Sequence, residues 1–294
     1  MDAIRHTLVT GAAGGIGAAV AREFAAHPAG AGDVLTLVDV APERLDEAAE
    51  TVRAVAAESG APCTVEVHAA DLASADGPAA AVRAAWEAHG PVDVLVNAAG
   101  RYPSTDMLDV TAESWDALQA LNTRAPVLAT AELGRRAVAA GRPASVVNIS
   151  SGAALRARPG GGPYATSKAA LEMATRAAAL ELGPHGIRVN AVSPGFVPVA
   201  SEVNPVAPEY AEAVSVNPLG RAGTPADVAR AVRWIAGSDA AWITGEVLRV
   251  DGGSATGAGG LPRLWPPRPT AHAADGTPPE DAAPEPRTTK GTPA

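Results

Sequence analysis

Thr7-Leu8-Val9-Thr10-Gly11-Ala12-Ala13-Gly14-Gly15-Ile16-Gly17 decides how this chain folds. Thr7 to Thr10 is a short β-rich run, the glycines end it, and Ala18 to Ala26 reads as helix. Strand, glycine turn and helix in that order are the setting a dinucleotide-binding fingerprint requires. Glycines let the backbone turn tightly and approach a pyrophosphate, whose charge rests on the N–H groups at the helix start. Two spacings fit at once: Gly-x-x-x-Gly-x-Gly on Gly11, Gly15 and Gly17, with Ile16 between, and Gly-x-x-Gly-x-x-Gly on Gly11, Gly14 and Gly17.

The next strand, Val34 to Val38, ends at Asp39, 22 residues past Gly17. A ribose-binding acid is expected at about 20. Asp39 can accept hydrogen bonds from both hydroxyls of an adenosine ribose, whereas a 2′-phosphate would meet like charge. Neither Val40, Ala41 nor the glycine loop offers a cation, so the expected cofactor is NAD rather than NADP. The plainer alternative is an acid exposed in a strand-end turn.

Outward from there, β-rich runs alternate with helical ones. Pro42 to Ser59 reads as helix, Thr64 to Val67 as strand, Ala79 to His89 as helix and Val92 to Val96 as a fourth strand. A long helical segment, about Thr111 to Ala140, contains Asn122 and is interrupted by Pro126. Ser145 to Ile149, Ile187 to Val192 and Glu246 to Val250 supply three further strands. The alternation implies an α/β fold: a single-domain, Rossmann-like, doubly wound parallel sheet of about seven strands with helices on both faces. That domain is expected over residues 1–254. Residues 255–294 hold nine of the chain's 26 prolines and no periodicity, which predicts a disordered tail.

In an open parallel sheet, ligands sit beyond the carboxyl ends of the strands. Asp71 and Leu72 follow the third strand on the side expected for an adenine, although Asp71 could equally cap a helix. Asn97, Ala98, Ala99 and Gly100 follow the fourth, small residues against which a cofactor could lie. Ser150 and Ser151 follow the fifth, and Ser193-Pro194-Gly195 ends the sixth. Beyond Gly160-Gly161-Gly162-Pro163, Tyr164 and Lys168 stand at i and i+4 on one face of a helix running to about Leu182. A neighbouring cation favours phenolate and lowers a phenol's pKa from about 10 toward useful proton transfer. Lys168 and Lys290 are the only lysines among 23 basic residues, so arginine serves as the cation nearly everywhere else. Position 168 calls for a compact, rotatable ammonium.

Composition narrows the partners. A net charge of −9 with no basic run argues against nucleic acid and against an anionic membrane surface. No apolar run approaches a membrane span and no leader pattern precedes the first strand, so a cytoplasmic protein is expected. Cys63 is alone and the histidines have no metal-ligand spacing, so neither a disulfide nor a metal is expected. The Tyr164 helix is apolar on several faces, with Leu171, Met173, Ala177 and Leu180 among them. Such a helix is covered all round, by its own domain or by a second subunit. A homodimer or homotetramer through the Asn122 and Tyr164 helices is the expectation.

The glycine turn, Asp39, Asn97-Ala98-Ala99-Gly100, and Ser151 lying 13 residues before Tyr164-x-x-x-Lys168, all in that order, resemble the short-chain dehydrogenase/reductase family over about residues 4–254. The core ends near residue 254 without a substrate domain. That, with Pro194-Gly195 and Asp251-Gly252-Gly253, resembles the family's short, single-domain branch. The resemblance implies an NAD-dependent oxidoreductase interconverting a small-molecule secondary alcohol and a ketone. It makes Tyr164 the general acid/base, with Lys168 lowering its pKa and holding nicotinamide-ribose hydroxyls. Ser151 would bond the substrate oxygen and Asn122 would order a relay water. Backbone from Pro194 and Gly195 to Val197 would hold the nicotinamide carboxamide, although Pro198-Val199-Ala200 stands where the family often has Thr. A catalytically silent NAD-binding regulator, and a dehydratase or epimerase using NAD transiently, share this fold. The intact Ser151, Tyr164 and Lys168 set argues against the silent form. Arg156 and Arg158 could draw an acidic substrate or be merely solvated, and Phe196 to Pro218 is expected to cover the site.

Overall fold

Successive residues of the central strands feed two different apolar layers. Val9, Val96, Val147 and Val192 pack against one set of helices, and Leu8, Leu95, Val146 and Val189 against another. Strands buried on both faces read as nearly continuous apolar runs, which made them visible in the sequence. The computed structural model describes residues 5–29, 32–60, 63–199 and 208–257. Strands β1 (His6–Thr10), β2 (Asp33–Asp39), β3 (Cys63–Ala69), β4 (Val94–Asn97), β5 (Ala144–Ile149), β6 (Ile187–Pro194) and β7 (Val247–Val250) form one sheet. Every pairing is parallel, in the order β3-β2-β1-β4-β5-β6-β7. This is the doubly wound, Rossmann-like sheet with seven strands.

Helices α1 (Gly15–Ala26), α2 (Pro42–Glu58) and α8 (Pro225–Ala236) share the first layer. Helices α3 (Gly77–His89), α5 (Ala125–Ala140) and α6 (Gly162–Leu182) share the second. Strand order reverses between β1 and β4, and the carboxyl ends there open a crevice. Short helices α4 (Ala112–Gln119) and α7 (Pro208–Ser215) complete the described elements of this kind. Thr224 caps α8 in a reciprocal box with Asp227, and Pro225 follows at the first turn.

Two expectations change. The fourth strand's ladder runs from Val94, while the Asp93 backbone already bonds both neighbours, its amide donating to the His6 carbonyl (2.9 Å) and its carbonyl accepting from the Ser145 amide (2.8 Å). The Asp93 carboxylate takes the His6 amide (2.9 Å) and the Arg142 guanidinium (3.0 Å). Pro126 does not break its helix. Helical structure continues from Ala112 to Ala140, and the irregularity comes earlier, as a π-turn at Ala120–Arg124. The Ala125 amide reaches the Ala120 carbonyl, and Pro126 has no N–H to give. The carbonyls of Leu121 and Asn122 thereby lose their usual α-helical donors.

The compact unit Met1–Gly257 contains every described residue. The tail expected to be disordered falls almost wholly on residues 258–294, outside the described residues, as do residues 200–207 of the expected covering segment. No described helix is long and apolar enough to cross a membrane.

Candidate active site

Backbone geometry selects between the two glycine spacings. Gly11 (φ +69°) and Gly15 (φ +54°) occupy the left-handed region that favours glycine. A Cβ on Gly17 would lie 2.1 Å from the Gly11 carbonyl oxygen, and one on Gly11 would lie 2.7 Å from the Ala99 backbone. Gly14, by contrast, is extended (φ −177°), and a Cβ there would meet only Arg44 Nη2, at 2.9 Å. Gly11, Gly15 and Gly17 are therefore the positions that require glycine.

Asp39 is fastened to this loop. Its Oδ2 accepts the Ala13 amide (3.0 Å), and its Oδ1 accepts those of Val40 (2.7 Å) and Ala41 (3.3 Å). Thr10 Oγ1 accepts the amides of Ala98 (3.1 Å) and Ala99 (3.3 Å), joining the ends of β1 and β4 across the crevice. On the other side the Gly195 amide donates to the Val250 carbonyl (3.0 Å), and Val197 packs into the core. The chain beyond Pro194 brings Val199 Cγ1 to 3.7 Å from the place a Gly15 Cβ would take. Bare backbone at residues 11–17 and 98–100, an acid at the β2 end and the Val199 segment opposite fit a nicotinamide dinucleotide.

Three residues expected at the cofactor also make contacts within the protein. The Asn97 side chain turns away, donating to Asn148 Oδ1 (2.8 Å) in a buried chain that continues to Thr175. Leu72 is buried in the α3 and α5 layer. Asp71 does not cap α3, whose cap is Asp76; its Oδ1 accepts the Ala73 amide (2.9 Å) at the exposed end of β3.

At the other end of the crevice, β5 delivers Ser151 and α6 begins. Ser151 Oγ accepts the Ala153 amide (3.2 Å), starting a 3-10 turn, Gly152–Leu155. An oxygen used as acceptor in this way keeps its own proton to donate. Tyr164 stands in the first turn of α6 and Lys168 one turn later. Lys168 is 5% exposed, its Nζ donates to the Ile149 carbonyl (2.8 Å), and it lies 6.0 Å from the Tyr164 ring centre. Burial lowers its pKa from about 10.5 to about 8. Asn122, wholly buried in the π-turn, accepts the Arg101 amide (2.9 Å) and donates to the Arg101 carbonyl (2.7 Å) and Ser167 Oγ (3.1 Å). A Cβ on Gly100 would fall 3.3 Å from Asn122 Oδ1 and 3.5 Å from Lys168 Nζ. Four chain segments thus meet around Lys168.

Sequence reasoning missed three neighbours. Arg44, five residues beyond Asp39 on α2, folds back to the glycine loop and forms no ion pair with a described residue; it lies three residues past Ala41, beyond the strand end. Tyr102 packs its ring edge-on against Tyr164, with centroids 6.2 Å apart. Glu172, one turn past Lys168, accepts from Ser150 Oγ (2.7 Å) and pins the end of β5 to α6. Of these, only Glu172 left a signal, as an acid set directly between the apolar Leu171 and Met173. Among the described residues no cluster could hold a metal, and burial raises the Cys63 thiol to about 11.

Residues 11–255 match the family model described as "Enoyl-(Acyl carrier protein) reductase". The chain is 35% identical to "Short-chain reductase protein NovJ" of Streptomyces niveus, across 84% of this chain and 92% of that protein. It is 36% identical to "Galactitol 2-dehydrogenase (L-tagatose-forming)" of Cereibacter sphaeroides, across 83% and 92% respectively. Its fold is similar to that of a blue fluorescent protein from a metagenomic library, solved in complex with NADPH. That match has a TM-score of 0.73 and 34% identity, across 85% of this chain and 97% of that one. The protein belongs to the short-chain dehydrogenase/reductase family, a family of oxidoreductases that bind a nicotinamide cofactor.

Proposed function

We propose that the protein is an NAD-dependent dehydrogenase or ketone reductase acting at a secondary carbinol, with residues 1–254 as its catalytic domain. Lys168 carries this reading: a buried ammonium, held by the Ile149 carbonyl beside Ser151 and facing the Tyr164 ring. Its charge favours the phenolate of Tyr164, which takes the hydroxyl proton in oxidation and returns it in reduction. Ser151 donates its proton to the substrate oxygen, steadying it as it changes between alcohol and carbonyl. When bound, a nicotinamide accepts the hydride or returns it, chemistry that belongs to the cofactor. Gly11, Gly15, Gly17, Asp39 and the backbone of residues 98–100 and 194–197 would hold it, with Lys168 reaching its ribose. The carbonyls released by the π-turn and Pro126 give a water near Asn122 an acceptor, and so give the proton a route outward.

Incubating the protein with NAD and a panel of secondary alcohols, followed at the NADH absorbance, tests this. Turnover that disappears in Tyr164→Phe, with folding and NAD affinity retained, is the expected result. Tight NAD binding without turnover supports the silent reading, and substrate conversion without net NADH supports the dehydratase or epimerase.

Asp39 supports NAD as the preferred cofactor. Arg44 supports a second reading, in which a 2′-phosphate finds a guanidinium at the loop and NADP is used less well but not refused. A homodimer or homotetramer through α5 and α6 is supported by exposed apolar side chains on both: Val127 and Val138 on α5, Met173 (63% exposed) and Leu180 (80%) on α6. A cytoplasmic setting agrees with a lone cysteine and an acidic, lysine-poor surface.

A further inference from the structure

Two loops flank Tyr164, and both are fixed to the catalytic elements. The segment after Gly100 is held at one end by Asn122, which bonds both backbone groups of Arg101 (2.9 and 2.7 Å), and further on by the Thr105 amide on the Gly160 carbonyl (2.8 Å). The segment after Ser151 is held by the Ser151–Ala153 contact. These anchors set Tyr102 against the Tyr164 ring and bring Met107 Cε to 3.4 Å from the place a Gly162 Cβ would take, two residues before Tyr164. Leu155 closes the 3-10 turn that starts at Ser151.

The side chains so positioned are apolar and open. Met107 is 74% exposed and Leu155 51% exposed. Exposed apolar side chains gathered beside reacting groups mark a surface that a ligand covers. The two arginines of the same loop are already engaged: Arg156 donates to the Ser254 carbonyl (2.9 Å), and Arg158 also has a partner.

We propose that the carbinol acted on here bears an extended apolar substituent, alkyl or aryl, seated against Tyr102, Met107 and Leu155, in preference to a polyol or a hydroxy acid. This rests on Tyr164 being the acid/base of an alcohol–ketone reaction. The substituent lies outside the reacting centre, so its burial adds binding energy in proportion to its length.

The test is kcat/KM with NAD for 2-butanol, 2-hexanol and 2-octanol, beside galactitol and 3-hydroxybutyrate. A rise of roughly fourfold per added methylene is expected, since each buried methylene adds its transfer free energy. Met107→Ser and Leu155→Ser should each cut the ratio of the 2-octanol to the 2-butanol value by about tenfold. Galactitol or 3-hydroxybutyrate outperforming 2-octanol overturns the proposal, as does a flat chain-length series. Light scattering on Met107→Ser covers the competing occupant. A changed molar mass with an unchanged alcohol series means that a second copy of the chain covers Met107, and the proposal fails. Should none of the alcohols turn over, calorimetry with 2-butanone and 2-octanone on the NAD-loaded protein separates the two readings. Tighter binding of 2-octanone, weakened by Leu155→Ser, upholds the apolar seat while the dehydrogenase reading falls; equal or absent binding overturns the seat as well.

Discussion

Lys168 holds its charge in surroundings that oppose it, and the cost is measurable. A shift from about 10.5 to about 8 corresponds to roughly 3 kcal/mol of burial penalty on the protonated form. The folded-state value lies below the unfolded one, so between pH 8 and pH 10.5 the unfolded chain binds more protons and stability rises with pH. Lys168→Met should abolish turnover yet raise Tm at pH 7, and the gain should shrink as pH climbs from 8 to 10; thermal melts across that range decide it. A gain that does not depend on pH would mean that burial leaves the Lys168 pKa where it stands in the unfolded chain. Tyr164 and Lys168 were legible because an i, i+4 pair is a local geometry. Arg44 was not, because its approach to Gly14 depends on how α2 packs beside α1. Arg44→Ala should lower kcat/KM for NADP by about tenfold and leave that for NAD within about twofold, as the loss of one charge-assisted phosphate contact implies. Equal losses with both cofactors would place Arg44 on the pyrophosphate.

At the scale of elements, the Asn122 helix shows where local rules misled. Proline in a helical stretch predicts a break at its own position. Here the chain takes one wide turn first, so that Pro126 enters α5 at its second residue with no amide to lose. The Asn122 side chain, bonded to Arg101 and Ser167, belongs to the same compromise, since only contacts distant in sequence make that turn worth its poorer backbone bonding. Pro126→Ala restores a donor for the Asn122 carbonyl. If that carbonyl carries the proton outward, kcat should fall severalfold with KM for NAD unchanged, and the loss should be largest at low pH, where proton release limits oxidation. Steady-state rates between pH 6 and pH 9 read this directly. An unchanged kcat would remove the π-turn from the relay.

For the whole molecule, α6 is the element that would link the proposed site to a homo-oligomer. One stripe, Lys168, Leu171, Glu172, Thr175 and Ala179, is buried against the sheet, while Met173 and Leu180 face outward. Under the proposed roles of Tyr164 and Lys168, a second subunit over that apolar strip would steady the helix that carries them. Leu180→Arg should lower the molar mass measured by light scattering and reduce activity at low protein concentration, with activity partly recovered at high concentration. A monomeric wild type would end the argument.

By itself the sequence determined the sheet and the glycine-rich turn, and it set out the Tyr164 and Lys168 pair proposed as catalytic. Each is written in short-range patterns: apolar runs on doubly covered strands, glycines at a strand-to-helix turn, and an i, i+4 phenol and ammonium. Only the tertiary structure decided between the two glycine spacings, because they differ at Gly14 and Gly15 alone: the folded loop leaves Gly14 extended (φ −177°) and turns Gly15 into the left-handed region (φ +54°), which favours glycine. It also decided that Asn97 serves the core and that Arg44 stands at the loop, and it placed Tyr102 beside Tyr164. These are meetings between elements, and composition and periodicity carry no record of which elements meet.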